Sequence, residues 1–199
     1  MPQGRAARTR KELLCEASEQ FDRDGYAGTS LARVAGAAGV SLGALTFHFA
    51  TKGELAASVV EAGCAVGREL VDRAAALPVS AAGRARALFL GLARALEEDA
   101  RARAAARLAR ETGRGPSLWV ESWRPGLRYL LEVAYTEGRL RRQVDAATAA
   151  ALVVHLLHGI EAGLRERSLC LPGTAPDVVA PAVVWDLLVH GVAPRPPEQ

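Results

Sequence analysis

The stretch Gly25 to Phe49 reads GYAGTSLARVAGAAGVSLGALTFHF. Two short runs, Leu31 to Ala38 and Leu42 to Phe49, are separated only by Gly39, Val40 and the cap candidate Ser41. Thr29 and Ser30 stand where a side-chain oxygen can cap the first run, and Ser41 where one can cap the second. A link this short, with glycine free to take a left-handed backbone, predicts two helices meeting at a steep angle. Such a helix-turn-helix corner serves DNA binding in some proteins and plain packing in others. Phe47 and Phe49 straddle the second helix, and Phe49 is expected in the core.

On either side the pattern stays helical. Leu13, Leu14, Ala17 and Phe21 recur at three- and four-residue spacing and predict a helix over Arg5 to Asp24, stopped by Gly25. Thr51 and Glu54 make a T-x-x-E capping box that opens a long helix to Ala76, before Pro78. Ser80 to Arg110 is rich in Ala and Arg and predicts two helices, followed by a break at Gly113 and Gly115-Pro116. Ser117 to Glu137 predicts a helix bent at Pro125. Asp145 caps another to Arg167, and a last helix ends at His190 after the loop LPGTAP, 171–176. Ile occurs once and Thr seldom, which disfavours strands. The expected fold is all-α, of about nine helices.

Composition excludes several classes. The chain has 199 residues, half of them apolar and 24% charged, which suits a packed core. A net charge of +3 is too small to argue for a nucleic-acid partner by itself. The only lysines are Lys11 and Lys52, and the Arg excess mostly reflects a coding bias. Three cysteines, Cys15, Cys64 and Cys170, form no C-x-x-C pair and fit a reducing compartment. Residues 1–10 lack the apolar segment of a signal peptide, and no uninterrupted apolar run of about 18 residues is present. A cytoplasmic protein without a membrane partner is expected.

The residues of Gly25 to Phe49 closely resemble the DNA-binding signature of the TetR family of transcriptional regulators. The resemblance is carried by Gly25-Tyr26, Thr29-Ser30, Val34, Ala38-Gly39-Val40-Ser41, Gly43-Ala44-Leu45, Phe47-His48-Phe49 and Lys52. It implies an N-terminal three-helix DNA-binding domain, 1–54, and a ligand-binding and dimerisation bundle, 55–199. Thr29 and Ser30 would clasp one phosphate backbone, where helix N-termini favour anions. Ser41, Leu42, Gly43 and Thr46 would face the major groove, with Phe47 beside them. His48 and Lys52 would meet phosphates, and Arg5, Arg8, Arg10 and Lys11 could reach backbone or minor groove. The chain departs from the family pattern at Leu42, usually Lys, and at Thr46, usually Tyr. Both usual residues touch DNA, so weaker non-specific phosphate affinity and a different base preference are implied.

The remainder is similar, more narrowly, to the γ-butyrolactone receptor branch. FDRDGY (21–26), GALTFHF (43–49), ESWR (121–124) and VWDLLVHGVAP (184–194) carry that likeness. In that branch a Trp at the position of Trp123 lies over the ligand. Trp119, Phe89, Leu92, Leu108 and Leu127 are candidate apolar neighbours, each also able to serve as ordinary core. Leu152, Leu156 and Ile160, with Val184, Leu187 and Leu188, make wide apolar stripes suited to a four-helix dimer interface. No cofactor is implied. His155 and His158 lack a third ligand for a metal, and no nucleophile–base pair suggests an enzyme. The expected function is a ligand-responsive, homodimeric repressor on a pseudo-palindromic DNA operator, released by a small apolar effector. The alternative is a helical small-molecule binding protein that has lost specific DNA binding.

Overall fold

The structure, a computed structural model, describes residues 2–112, 117–139, 145–169 and 179–190. Ten helices and no strand occur among them: α1 (Pro2–Gly28), α2 (Leu31–Ala37), α3 (Leu42–His48), α4 (Lys52–Ala75), α5 (Ala81–Glu98), α6 (Ala100–Thr112), α7 (Leu118–Glu121), α8 (Arg124–Thr136), α9 (Ala146–Leu169) and α10 (Pro181–His190). The expected breaks at Gly113 and Gly115-Pro116, the loop at 171–176, Cys170 and the stretch after His190 lie outside the described residues.

Two compact units divide the chain, residues 1–69 with 98–123 and residues 70–97 with 124–199. The first unit contains α1 to α3, most of α4, α6 and α7. Leu13, Ala17 and Phe21 of α1 are fully buried, as their spacing predicts. They pack with Val34 of α2, Leu45 of α3, Phe49, Leu55 and Val59 of α4, and Ala104 and Leu108 of α6. Each large side chain removed from water here stabilises the unit by about 1.5–3 kcal/mol. Five helices, α1, α2, α3, α4 and α6, thus share one core, which sets the angle at which α3 is presented.

Gly25 interrupts α1 without ending it. At φ 70° and ψ −176° it kinks the chain, and helical bonding resumes to Gly28. The α6 residues Arg107 and Glu111 staple this kink. Arg107 donates to the carbonyls of Asp22 and Arg23 at 2.6 and 2.9 Å, just before the kink. Its Nε meets Glu111 at 2.6 Å, and the other Glu111 oxygen accepts the Tyr26 N–H at 2.6 Å. Arg103 adds a 2.6 Å ion pair with Asp22.

In the second unit, Ala85, Leu88, Phe89, Leu92 and Leu96 form the buried stripe of α5. Leu127, Leu130, Leu131 and Ala134 do the same for α8, which packs on α9. Phe89 lies 5.4 Å from the buried Trp185 of α10.

One expectation on helix extent needs correction. The single bent helix over Ser117 to Glu137 is two helices, α7 and α8, parted at Ser122 and Trp123. A proline ring clashes with the carbonyl four residues earlier, so a helix cannot run from Glu121 through Pro125. Placed in the first turn of α8, Pro125 omits an N–H that has no helical acceptor anyway. Ala146–Glu166 in α9 is apolar enough on average, by length and composition, to cross a membrane, while the expected absence of an unbroken apolar run stands. His155, His158 and Glu161 interrupt the run in sequence without lowering its average below that threshold.

Candidate nucleic-acid interface and effector site

The corner between α2 and α3 is built from local bonds. The Ser30 hydroxyl caps α2, accepting the Arg33 N–H at 3.3 Å. Gly39 turns the chain at φ 66°, a left-handed value that a side chain at this position would resist. The Ser41 hydroxyl caps α3, accepting the Ala44 N–H at 3.1 Å. Thr51 caps α4 through the Glu54 N–H at 3.1 Å, and Glu54 reaches back to the Ala50 N–H at 2.9 Å. The expected capping box is therefore present, its return bond falling one residue before the cap.

Thr29, expected on a phosphate, is placed inside instead. It is 2% exposed and its hydroxyl donates to the Gly25 carbonyl at 2.8 Å, which ties the α1 kink to the start of α2. Ser30, Ser41, Leu42, Gly43, Thr46 and Phe47 are all exposed. Phe47 is 82% exposed, whereas Phe49 is core at 1%. His48 is half-buried, its ring edge-on to Phe47 at 5.2 Å. Lys52 extends over the Tyr26 ring, 4.5 Å from its centre, and donates to the Ala27 carbonyl at 3.3 Å. This holds its ammonium near the end of α1. Arg8 pairs with Glu12 at 2.9 Å on the exposed surface, and Arg10 lies 4.9 Å from the centre of the Phe49 ring. The side chain of Arg5 lies outside the described residues.

Sequence reading passed over Arg33. Its guanidinium bonds Asp24 at 2.7 Å and the Gly28 carbonyl at 2.9 Å, bracing α2 against the end of α1. Burial alone would raise the Asp24 carboxyl pKa, but Arg23 and Arg33 outweigh it and hold the group below its usual value. The Arg107–Glu111 staple was passed over too. Only the four-residue spacing of that pair is visible in sequence, whereas its targets lie some 85 residues away.

The candidate effector residues divide between the units. Trp119 and Trp123, 3% and 1% exposed, flank Gly67 of α4 in the first unit. The indole Nε1 of Trp123 is buried with no hydrogen-bond acceptor from the protein. Ser122, between the two, turns its hydroxyl to the Trp119 carbonyl at 2.7 Å. Nearby, burial pushes the Cys64 thiol pKa up, and the charge of Glu61 adds to this. Leu108, a candidate pocket neighbour or ordinary core, packs in the core that includes Val34 of α2 and Leu45 of α3. Phe89, Leu92 and Leu127 are fully buried in the second unit. A separate open groove of about 420 Å³ lies between α1 and α4, lined by Arg10, Leu14, Ala57, Ser58, Glu61, Ala62 and Ala65. It contains none of the expected effector residues.

On the dimer candidates, Leu152 and Leu187 are each 44% exposed, and Leu156, Ile160, Val184 and Leu188 are half-buried. Both stripes therefore lie partly open in the single chain.

Comparison with known proteins bears on this arrangement. The profile of the bacterial regulatory proteins, tetR family, matches residues 13–59, which span α1 to α4. The A-factor receptor protein of Streptomyces griseus is 28% identical over 162 residues, covering 80% of this chain. That match spans 56% of the relative, little more than half its length. A γ-butyrolactone receptor described as ArpA-like superposes with a TM-score of 0.70 at 27% identity, covering 93% of this chain and 96% of its own. CprB from Streptomyces coelicolor, in complex with its biological operator sequence, gives 0.69 at 28% identity, covering 94% and 96%.

Proposed function

We propose, on the premise that this chain is a TetR-family regulator of the γ-butyrolactone receptor branch, that it is a homodimeric transcriptional repressor. It acts in the cytoplasm on a pseudo-palindromic operator and is released by a small apolar effector. The observation that carries this reading is the exposed face of α3, held rigidly at a glycine turn by a core shared with α1, α2, α4 and α6. Rigid presentation of a short helix is what major-groove readout requires.

A second copy covers the open stripes of α9 and α10. Little of the apolar stretch of α9 is buried within the chain, and exposed patches of this kind mark association surfaces. Glu161 is 2% exposed and paired with Arg165 at 2.9 Å, an arrangement suited to a protein interface more than to lipid. In the dimer the two α3 helices would lie about 34 Å apart, one turn of DNA.

The effector binds beside Trp123. A buried N–H without an acceptor favours a ligand that carries a carbonyl or ether oxygen on an apolar body. Its binding displaces α7 and, through the adjoining α6, the Arg107–Glu111 staple at the α1 kink. The effector thereby favours a state in which α3 is wrongly presented. The molecule's activity is binding without turnover.

One observation favours the alternative, a binding protein without specific DNA recognition. The exposed residues of α3 carry no cation, and Lys52 is engaged with Ala27 and Tyr26. A mobility-shift titration against the DNA upstream of its own coding sequence separates the two. A retarded band at low salt supports the repressor; a folded dimer that retards nothing supports the alternative.

A further inference from the structure

The exposed residues of α3 are Leu42, Gly43, Thr46 and Phe47. Their spacings of one, three and four place them on one face. Leu42 is 48% exposed and Phe47 82%, so two large apolar side chains stand open to water on a seven-residue helix. The side-chain hydroxyls on this face are engaged locally, within α3 and its cap. The Thr46 hydroxyl donates to the Gly43 carbonyl at 3.1 Å, leaving the methyl as the group not tied to the helix. The Ser41 hydroxyl is occupied as the cap of α3. None of the four exposed residues has an amide, carboxylate, guanidinium or ammonium group with which to pair a base edge.

Resting on the DNA-binding reading above, we propose that this chain recognises its operator through thymine methyl groups, with Leu42 and Phe47 as the residues that set the preference. The C5-methyl of thymine is the one apolar group that B-DNA presents in the major groove. Every other base-edge feature there is a donor or an acceptor. An apolar face laid on those edges strips their water and returns no hydrogen bond, which penalises them. The same face gains by covering a methyl group. Specificity arises from both terms and points to thymines at the positions under α3 in each half-site. Cytosine methylated at C5 presents the same apolar group, so a methylated cytosine at such a position would be partly accepted.

The test begins with duplexes selected by the full-length protein from a random library at low salt. Each thymine of the selected site is replaced in turn by deoxyuridine, which lacks only the methyl. Binding is expected to weaken about fourfold at one or two positions per half-site, and about fifteenfold when both half-sites are changed. Cytosine at those positions should bind no better than deoxyuridine, and 5-methylcytosine should recover part of the loss. Leu42→Ala or Phe47→Ala, both surface changes, should bind thymine and deoxyuridine duplexes alike. A selected duplex whose deoxyuridine forms all bind equally overturns methyl recognition and leaves the repressor reading standing. Variants that keep the full discrimination overturn the roles of Leu42 and Phe47. Failure to select any duplex overturns both the inference and the reading on which it rests.

Discussion

Gly63→Ala adds one methyl group to α4, and the structure states what it meets. The new Cβ would stand 2.6 Å from the carbonyl oxygen of Arg101 and closer still to the Cβ of Ala105. Both belong to α6, and neither is the end of a flexible side chain. Ordinary contacts of 3.5 Å or more are regained only if the helices separate locally by about 1 Å. Overpacking of this kind costs about 1–3 kcal/mol, and a backbone obstacle places it in the upper half of that range. Against it, Ala is a better helix former than Gly by up to about 1 kcal/mol. Gly36→Ala supplies the control. It makes the same exchange within α2, where a Cβ would meet nothing within 4 Å. The difference between the variants isolates the steric contribution, about 2–3 kcal/mol, with Gly36→Ala above the parent protein and Gly63→Ala below it. Urea unfolding at one fixed protein concentration measures this, because the stability of the proposed dimer would depend on concentration. Equal midpoints for the two variants would refute the close approach of α4 to α6.

Three further outcomes are expected. Trp123→Phe keeps an aromatic ring and removes the unpartnered N–H; it should leave folding stability unchanged or slightly raised, and weaken effector-induced release by about tenfold, read by titrating preformed protein–DNA complex. Glu111→Ala removes the carboxylate that holds Arg107 and the Tyr26 N–H; it should cost about 1–2 kcal/mol in denaturant unfolding and weaken operator binding, the cost being moderated because the side chain is 34% exposed. Ile160→Glu places a charge on the half-buried stripe of α9; it should shift the protein from dimer to monomer in sedimentation and abolish high-affinity operator binding, and an unchanged dimer would remove α9 from the interface.

Local chemistry made the recognition corner legible in sequence. Ser30, Ser41 and Thr51 are caps because capping depends on the residue and its next three neighbours. Gly39 was readable as a turn for the same reason. Thr29 shows the limit of that logic. Its neighbour Ser30 took the cap, and the kink at Gly25 offered a carbonyl that drew the Thr29 hydroxyl inward. The bonds from α6 to the kink join residues about 85 positions apart, and no periodicity connects them. Leu108 stayed open between pocket wall and ordinary core for a related reason. Apolar spacing shows that a residue is buried and says nothing of which core receives it. The division at Trp123 was half legible, since Pro125 marked the place but a bend and a break share that signal.

The central claim is a DNA-binding dimer that a small molecule releases. The most direct measurement is fluorescence anisotropy of a labelled duplex from upstream of its own coding sequence, titrated with purified dimer and then with a γ-butyrolactone. The account predicts saturable binding that steepens as salt is lowered and is reversed by the lactone. A folded dimer that leaves the anisotropy flat at low salt would contradict it.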